Sequence, residues 1–110
     1  MMKRTLLALA MLLGTTNAHA AGLTCPEEQQ LHAVKGDVAT SITFVNQTRR
    51  PVRVYWINYK GDRQFYAEVA PGRSYDQQTY VTHPWVVTNN AEDCLGVYLP
   101  QRSPTSAIIQ

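Results

Sequence analysis

Val52-Arg53-Val54-Tyr55-Trp56-Ile57, Asn58-Tyr59-Lys60-Gly61-Asp62 and Arg63-Gln64-Phe65-Tyr66-Ala67-Glu68-Val69 follow one another without a break, and the fold turns on this stretch. The first six residues alternate and are rich in β-branched and aromatic types, which suits a pleated, half-buried strand. The middle five carry Asn and Gly where a hairpin loop needs them, so the last seven are expected to return as the paired strand. Pro51 stands at the head of the run, where a strand can begin but a central ladder bond cannot form.

The same signals repeat on either side. Upstream, Ser41-Ile42-Thr43-Phe44-Val45-Asn46 alternates apolar against polar and predicts a strand, joined to the hairpin by the polar Gln47-Thr48-Arg49-Arg50-Pro51. Downstream, Ala70-Pro71-Gly72-Arg73 suits a type II turn, and Ser74 to Tyr80 resumes an extended pattern. Pro84 to Thr88 and Cys94 to Leu99 complete about six short strands with no amphipathic helix among them. That pattern predicts an all-β protein, a small antiparallel β sandwich, over residues 41–100. Residues 21–40 read as an N-terminal arm with a short helical turn near Pro26 to Leu31. Gln101 to Gln110 reads as a C-terminal extension, either an edge strand or a frayed tail. No internal repeat or second domain is visible.

The first 20 residues predict a cleavable signal peptide. Lys3 and Arg4 supply a positive start, Leu6 to Leu13 an apolar core, and Ala18-His19-Ala20 the small residues of a cleavage site. The apolar run is too short to cross a bilayer of about 30 Å as a helix, which argues against the alternative of a retained anchor. The protein is therefore expected to be secreted or periplasmic. Removing 20 of the 110 residues leaves 90, near the size at which a core alone is marginal. The two cysteines, Cys25 and Cys94, are expected to pair in an oxidising compartment and staple the domain. The other reading, a pair of reactive or metal-binding thiols, lacks a C-x-x-C spacing or adjacent histidines.

Charge excludes more than it implies. Removing Lys3 and Arg4 from the ten basic residues leaves eight against eight acidic ones, so the mature domain is near neutral. Arg49, Arg50 and Arg53 form a local cluster, too small for a nucleic-acid stripe. His32 and His83 lack metal-site neighbours, and no serine sits in a nucleophile-elbow sequence. No catalytic residues, metal or cofactor are therefore expected, and the protein is not expected to be an enzyme. Asn46-Gln47-Thr48 is a glycosylation sequon by pattern, although Asn46 reads better as a loop tie.

All ten aromatic residues lie between Phe44 and Tyr98. Trp and Tyr are ordinary core material in a small sandwich, so composition alone does not make them a site. Their spacing goes further. Phe44-x-Asn46, Val54-x-Trp56-x-Asn58-Tyr59-x-Gly61, Gln64-x-Tyr66, Pro71-Gly72 and Tyr80-x-x-His83-x-Trp85 together resemble the von Hippel-Lindau (VHL) β-domain family, in order and over about half of the mature chain.

The resemblance implies a β sandwich that grips 4-hydroxyproline in an extended peptide. It places Trp56, Tyr66, His83 and Trp85 at the family's pocket positions by identity, and Tyr80 at a flanking aromatic. Thr79 stands where the family has a serine, keeping the hydroxyl, and Gln78 replaces a histidine. The arm around Lys35 to Asp37 has no clear match to the family's outer peptide contacts. In chemical terms, Trp56 and Trp85 would wall a pyrrolidine ring, Tyr66 would reach the ligand backbone, and Thr79 and His83 would receive its hydroxyl. The expected partner is a proline- or hydroxyproline-containing peptide. The family's ligase role needs a further helical domain, which this chain lacks, so no ubiquitin-ligase subunits are expected. The alternative is a structural or accessory module binding another exported protein or a glycan, since aromatic platforms also suit sugar rings.

Overall fold

The structure, a computed structural model, describes residues 20–110. The expected signal peptide lies, apart from Ala20, outside the described residues. Eight strands form: β1 Ala21–Leu23, β2 Ala39–Asn46, β3 Val52–Ile57, β4 Arg63–Val69, β5 Ser74–Tyr80, β6 Trp85–Thr88, β7 Cys94–Leu99 and β8 Thr105–Ile109. A 3-10 helix, Cys25–Gln30, follows β1. Two sheets pack as a sandwich, one ordered β1-β7-β6-β3-β4 and the other β5-β2-β8.

Alternation along β2 and β3 decides what the sandwich encloses. Ile42 and Phe44 from one sheet meet Val52, Val54, Val69, Trp85 and Val87 from the other, with Ala107 and Ile109 of β8 closing the same core. Trp56, Tyr75 and Tyr98 pack at its rim. Strand side chains point alternately to opposite faces, so the intervening residues of β3 face outward. They are not left to solvent. Tyr55, Ile57, Val86 and Val97 form a second cluster beneath Leu23, Leu31 and Cys94, which the N-terminal segment and the start of β7 supply. The five-stranded sheet is thus covered on both faces. This is why all four residues of β6, Trp-Val-Val-Thr, are buried and read as a continuous run rather than an alternating one.

The arm therefore forms part of the fold. Its 3-10 helix starts where the Glu27 carboxylate accepts the Thr24 backbone N–H at 2.7 Å. Arg63 of β4 then grips Glu28 with two bonds, Nε to Oε2 at 2.7 Å and Nη2 to Oε1 at 2.9 Å, the forked geometry that suits guanidinium and carboxylate. Cys25 and Cys94 form the expected disulfide.

The C-terminal segment settles between its two alternatives. Residues Thr105–Ile109 pair with β2 in parallel, Ile42 opposite Thr105 through Asn46 opposite Ile109. The other strand pairs are antiparallel. The sandwich accordingly extends past residue 100 to Ile109 and begins before residue 41, at β1.

Asn46 is the loop tie that the sequence indicates. It is 0% exposed, and its side-chain amide donates to the carbonyls of Arg50 at 2.8 Å and Val69 at 2.9 Å. Its Oδ1 accepts the Thr48 backbone N–H and hydroxyl at 2.9 and 2.7 Å. An amide committed in this way has no nitrogen free for a glycan, so the sequon is structural.

The disulfide joins residues separated by 69 positions. Replacing both cysteines by serine is expected to lower unfolding free energy by about 4 kcal/mol in the chain-entropy account, read from denaturant midpoints. An unchanged midpoint would show that loop closure contributes nothing here.

Candidate functional site

β4 and β5 are the edge strands of their respective sheets on one side of the sandwich. The opposite side is drawn together by a bond from the Ala20 backbone N–H to the Ser106 carbonyl, 3.0 Å. The aromatic residues collect on the open side, at the end where β3 finishes and β6 begins.

Trp85, first residue of β6, lies opposite Trp56 of β3 in the ladder, so both rings face the sandwich interior. Trp85 is 2% exposed and forms the floor of the site. Its indole N–H donates to the Thr79 hydroxyl at 2.9 Å, joining β6 of one sheet to β5 of the other. Thr79 is itself 3% exposed, held under the cluster.

Tyr66 reaches this floor because of a defect in the ladder. Val54 pairs with Ala67 and Tyr55 with Phe65, so Tyr66 is the extra residue of a β-bulge. A bulge bends its strand and re-aims the side chain there. Tyr66 stands edge-on to Trp85, with ring centroids 4.9 Å apart and planes at 80°, and 6.5 Å from Trp56. It is 41% exposed, so it forms an accessible wall above a buried floor.

His83 lies in the β5–β6 connection, where its backbone N–H closes a turn onto the Tyr80 carbonyl at 3.0 Å. Its ring lies 5.1 Å from Trp56 and 5.2 Å from Tyr80. Burial among these rings pulls its pKa below the ordinary 6.5, against an opposing pull from the Val34 carbonyl. A neutral imidazole offers one donor and one acceptor nitrogen, which is what reading a hydroxyl requires.

The structure thus brings together Trp56, Tyr66, Thr79, Tyr80, His83 and Trp85. It leaves Gln78 out. Successive residues of β5 face opposite ways, and Gln78 points to the face away from Thr79, exposed, with its backbone carbonyl taken by the Gln77 side chain at 2.6 Å. Two residues join the cluster that the matched pocket positions do not include. Tyr59, in the hairpin loop, stands edge-on to Trp56 at 5.2 Å and to His83 at 5.6 Å. Tyr75 packs inward against Phe44, ring centroids 6.4 Å apart, donating to the Gln77 side chain, and burial raises its pKa. The Asn58-Tyr59-x-Gly61 motif carried the signal for Tyr59, since Gly61 with φ +85° turns the loop back over Trp56.

The arm holds these loops in place. Ala33 donates to the Asn58 carbonyl at 3.0 Å, and Val34 exchanges bonds with Thr82, N–H to carbonyl at 3.2 Å and hydroxyl to carbonyl at 2.8 Å. Gly36 lies directly on Tyr80, where any Cβ would collide with the Cβ and Cγ of that tyrosine. Two surface concavities of about 370 and 330 Å³ occur at the other end of the sandwich, around Arg50, Pro51 and Asn89. Arg49 and Arg50 belong there. Arg53 instead lies over the Phe65 ring on the outer face, 5.1 Å from its centroid.

Thr79→Val keeps the shape of the floor but removes the only acceptor of the Trp85 N–H. The expected loss is about 1–3 kcal/mol of stability, the price of a buried donor left unpaired, with Thr79→Ser close to wild type. Denaturation followed by tryptophan fluorescence measures both, and equal losses in the two variants would contradict the role given to the hydroxyl.

No curated protein matches the chain. A family model described as the VHL beta domain matches residues 31–100, which takes in the strands from β2 to β7, the arm segment from Leu31 and every residue of the aromatic cluster. With that match over most of its length and a two-sheet sandwich carrying a surface aromatic cluster, the chain belongs to the VHL beta domain family, a family of non-catalytic, peptide-binding β modules.

Proposed function

We propose that this protein is an exported binding module that takes an extended, proline-containing peptide at the aromatic cluster and prefers 4-hydroxyproline over proline. The observation that carries the reading is the joining of Trp56, Tyr66, His83 and Trp85 into one cluster at the open edge of the sandwich. Flat apolar rings at right angles make a slot for a pyrrolidine, and the neutral imidazole beside them supplies a partner for a hydroxyl. Thr79 accepts from Trp85 through its oxygen and retains its own O–H as a donor.

The backbone supports an extended ligand. β5 pairs with β2 on one side only, so its other edge is open to an added strand that leads toward the cluster, except at the Gln78 and Tyr80 carbonyls, which Gln77 and His83 already take. A peptide added there would gain main-chain bonds while its proline reached the slot. Nothing in this arrangement requires bond making or breaking.

Calorimetry with a hydroxyprolyl peptide and its prolyl twin tests the reading. The hydroxylated peptide is expected to bind at least about tenfold tighter, because an unmodified ring leaves desolvated polar groups without a partner. His83→Ala is expected to collapse that ratio, whereas Trp56→Ala weakens both peptides together. Equal binding of the twins, or capture of a glycan in place of either, overturns it.

The export half of the proposal rests on the N-terminal pattern and on the Cys25–Cys94 disulfide, a bond favoured in oxidising compartments. Expressed from its full sequence in bacteria, the protein is expected in the periplasmic or extracellular fraction with a new N-terminus at Ala21. Recovery from the cytosol with Met1 in place refutes it.

A further inference from the structure

Tyr59 stands apart from the other rings of the site. It is 55% exposed, and its phenolic oxygen lies 3.4 Å from Nε2 of His83. The loop that carries it is pinned. Asn58 accepts the N–H groups of Lys60 and Asp62 on its side-chain oxygen, both at 2.9 Å, and the N–H of Gly61 on its carbonyl at 2.9 Å. The mobile part is therefore the Tyr59 side chain about its own torsions, and exposed side chains change rotamer in picoseconds to nanoseconds.

A ligand hydroxyl needs His83, and in the ligand-free protein the nitrogen it would meet is already matched to a phenol. We propose that Tyr59 is an affinity-setting gate over the site, its hydroxyl standing in at His83 Nε2 for the ligand hydroxyl and yielding that place when a hydroxylated ligand enters. The inference rests on the peptide-binding reading above and adds a residue to it. In the tautomer with the ring proton on Nδ1, Tyr59 O–H donates to Nε2, and a ligand O–H takes over the same bond with the same polarity.

The exchange sets the cost of entry, which is the same for every ligand that displaces Tyr59. A hydroxyl-bearing ring replaces the bond it breaks. An apolar ring that pushes Tyr59 aside leaves the imidazole nitrogen desolvated and empty, so the displaced bond is recovered by hydroxyproline and not by proline. Trp56 adds to the effect. Its indole N–H is buried without a partner, so the ring is held by contacts with its neighbours, Tyr59 among them, rather than by a hydrogen bond of its own.

Tyr59→Phe keeps the ring and removes the competing hydroxyl. Two measurements on this variant and wild type decide the proposal. In the ligand-free proteins, the Nε2 nitrogen-15 resonance of His83 at fixed pH is expected to shift between wild type and Tyr59→Phe, since one hydrogen-bond partner is lost. In calorimetry, Tyr59→Phe is expected to bind the hydroxyprolyl peptide roughly two- to tenfold tighter, the worth of one neutral hydrogen bond no longer broken on binding. An unchanged Nε2 resonance overturns the gate whatever the peptides do. A shifted resonance with unchanged or weaker hydroxyprolyl binding overturns the exchange. If neither protein binds either peptide, the functional reading fails, and the resonance alone still decides whether Tyr59 holds His83.

Discussion

The hydrogen bond from the Trp85 indole to the Thr79 hydroxyl is the constraint on which the site depends, because it joins the two sheets at the place where the ligand would rest. Trp85 belongs to the five-stranded sheet and Thr79 to the three-stranded one. The Trp85 ring lies 5.9 Å from Phe44 on the core side and 4.9 Å from Tyr66 on the solvent side. One side chain is thus both the end of the hydrophobic core and the floor of the aromatic cluster. A core that shifts at Phe44 moves the floor, so binding geometry and fold stability are set by the same packing.

Much of this was legible in the chain. The strands from β2 to β7 follow from period-two alternation and turn residues, and the disulfide from the presence of two cysteines, Cys25 and Cys94. The members of the aromatic cluster were legible through the resemblance to the VHL β-domain family, whose motifs they match in order. Trp56, Tyr66, His83 and Trp85 meet because the β3–β6 ladder, the bulge in β4 and the β5–β6 turn bring them together.

What was hidden depends on long-range structure. The bulge at Tyr66 is an event between two strands, and no local pattern in Arg63–Val69 marks it. The parallel pairing of β8 with β2 joins segments about sixty residues apart, so Thr105–Ile109 by itself reads equally well as a tail. The outer cluster of Tyr55, Ile57, Val86 and Val97 is visible only once Leu23 and Leu31 are known to cover it. Gln78 illustrates the opposite error. It is the sequence neighbour of Thr79, yet strand alternation turns its side chain to the opposite face, and adjacency in sequence does not survive as adjacency in space.

The pairing scheme also sets the order in which this domain can form. Only the β3–β4 and β6–β7 hairpins join consecutive strands through short loops. β1 waits for β7, Cys25 for Cys94, and β2 for β8. Either hairpin can form locally, but neither sheet is complete until segments far apart in the chain meet. Such a topology folds slowly and as one unit, because most of its contacts require distant segments to be brought together before any of them stabilises the others.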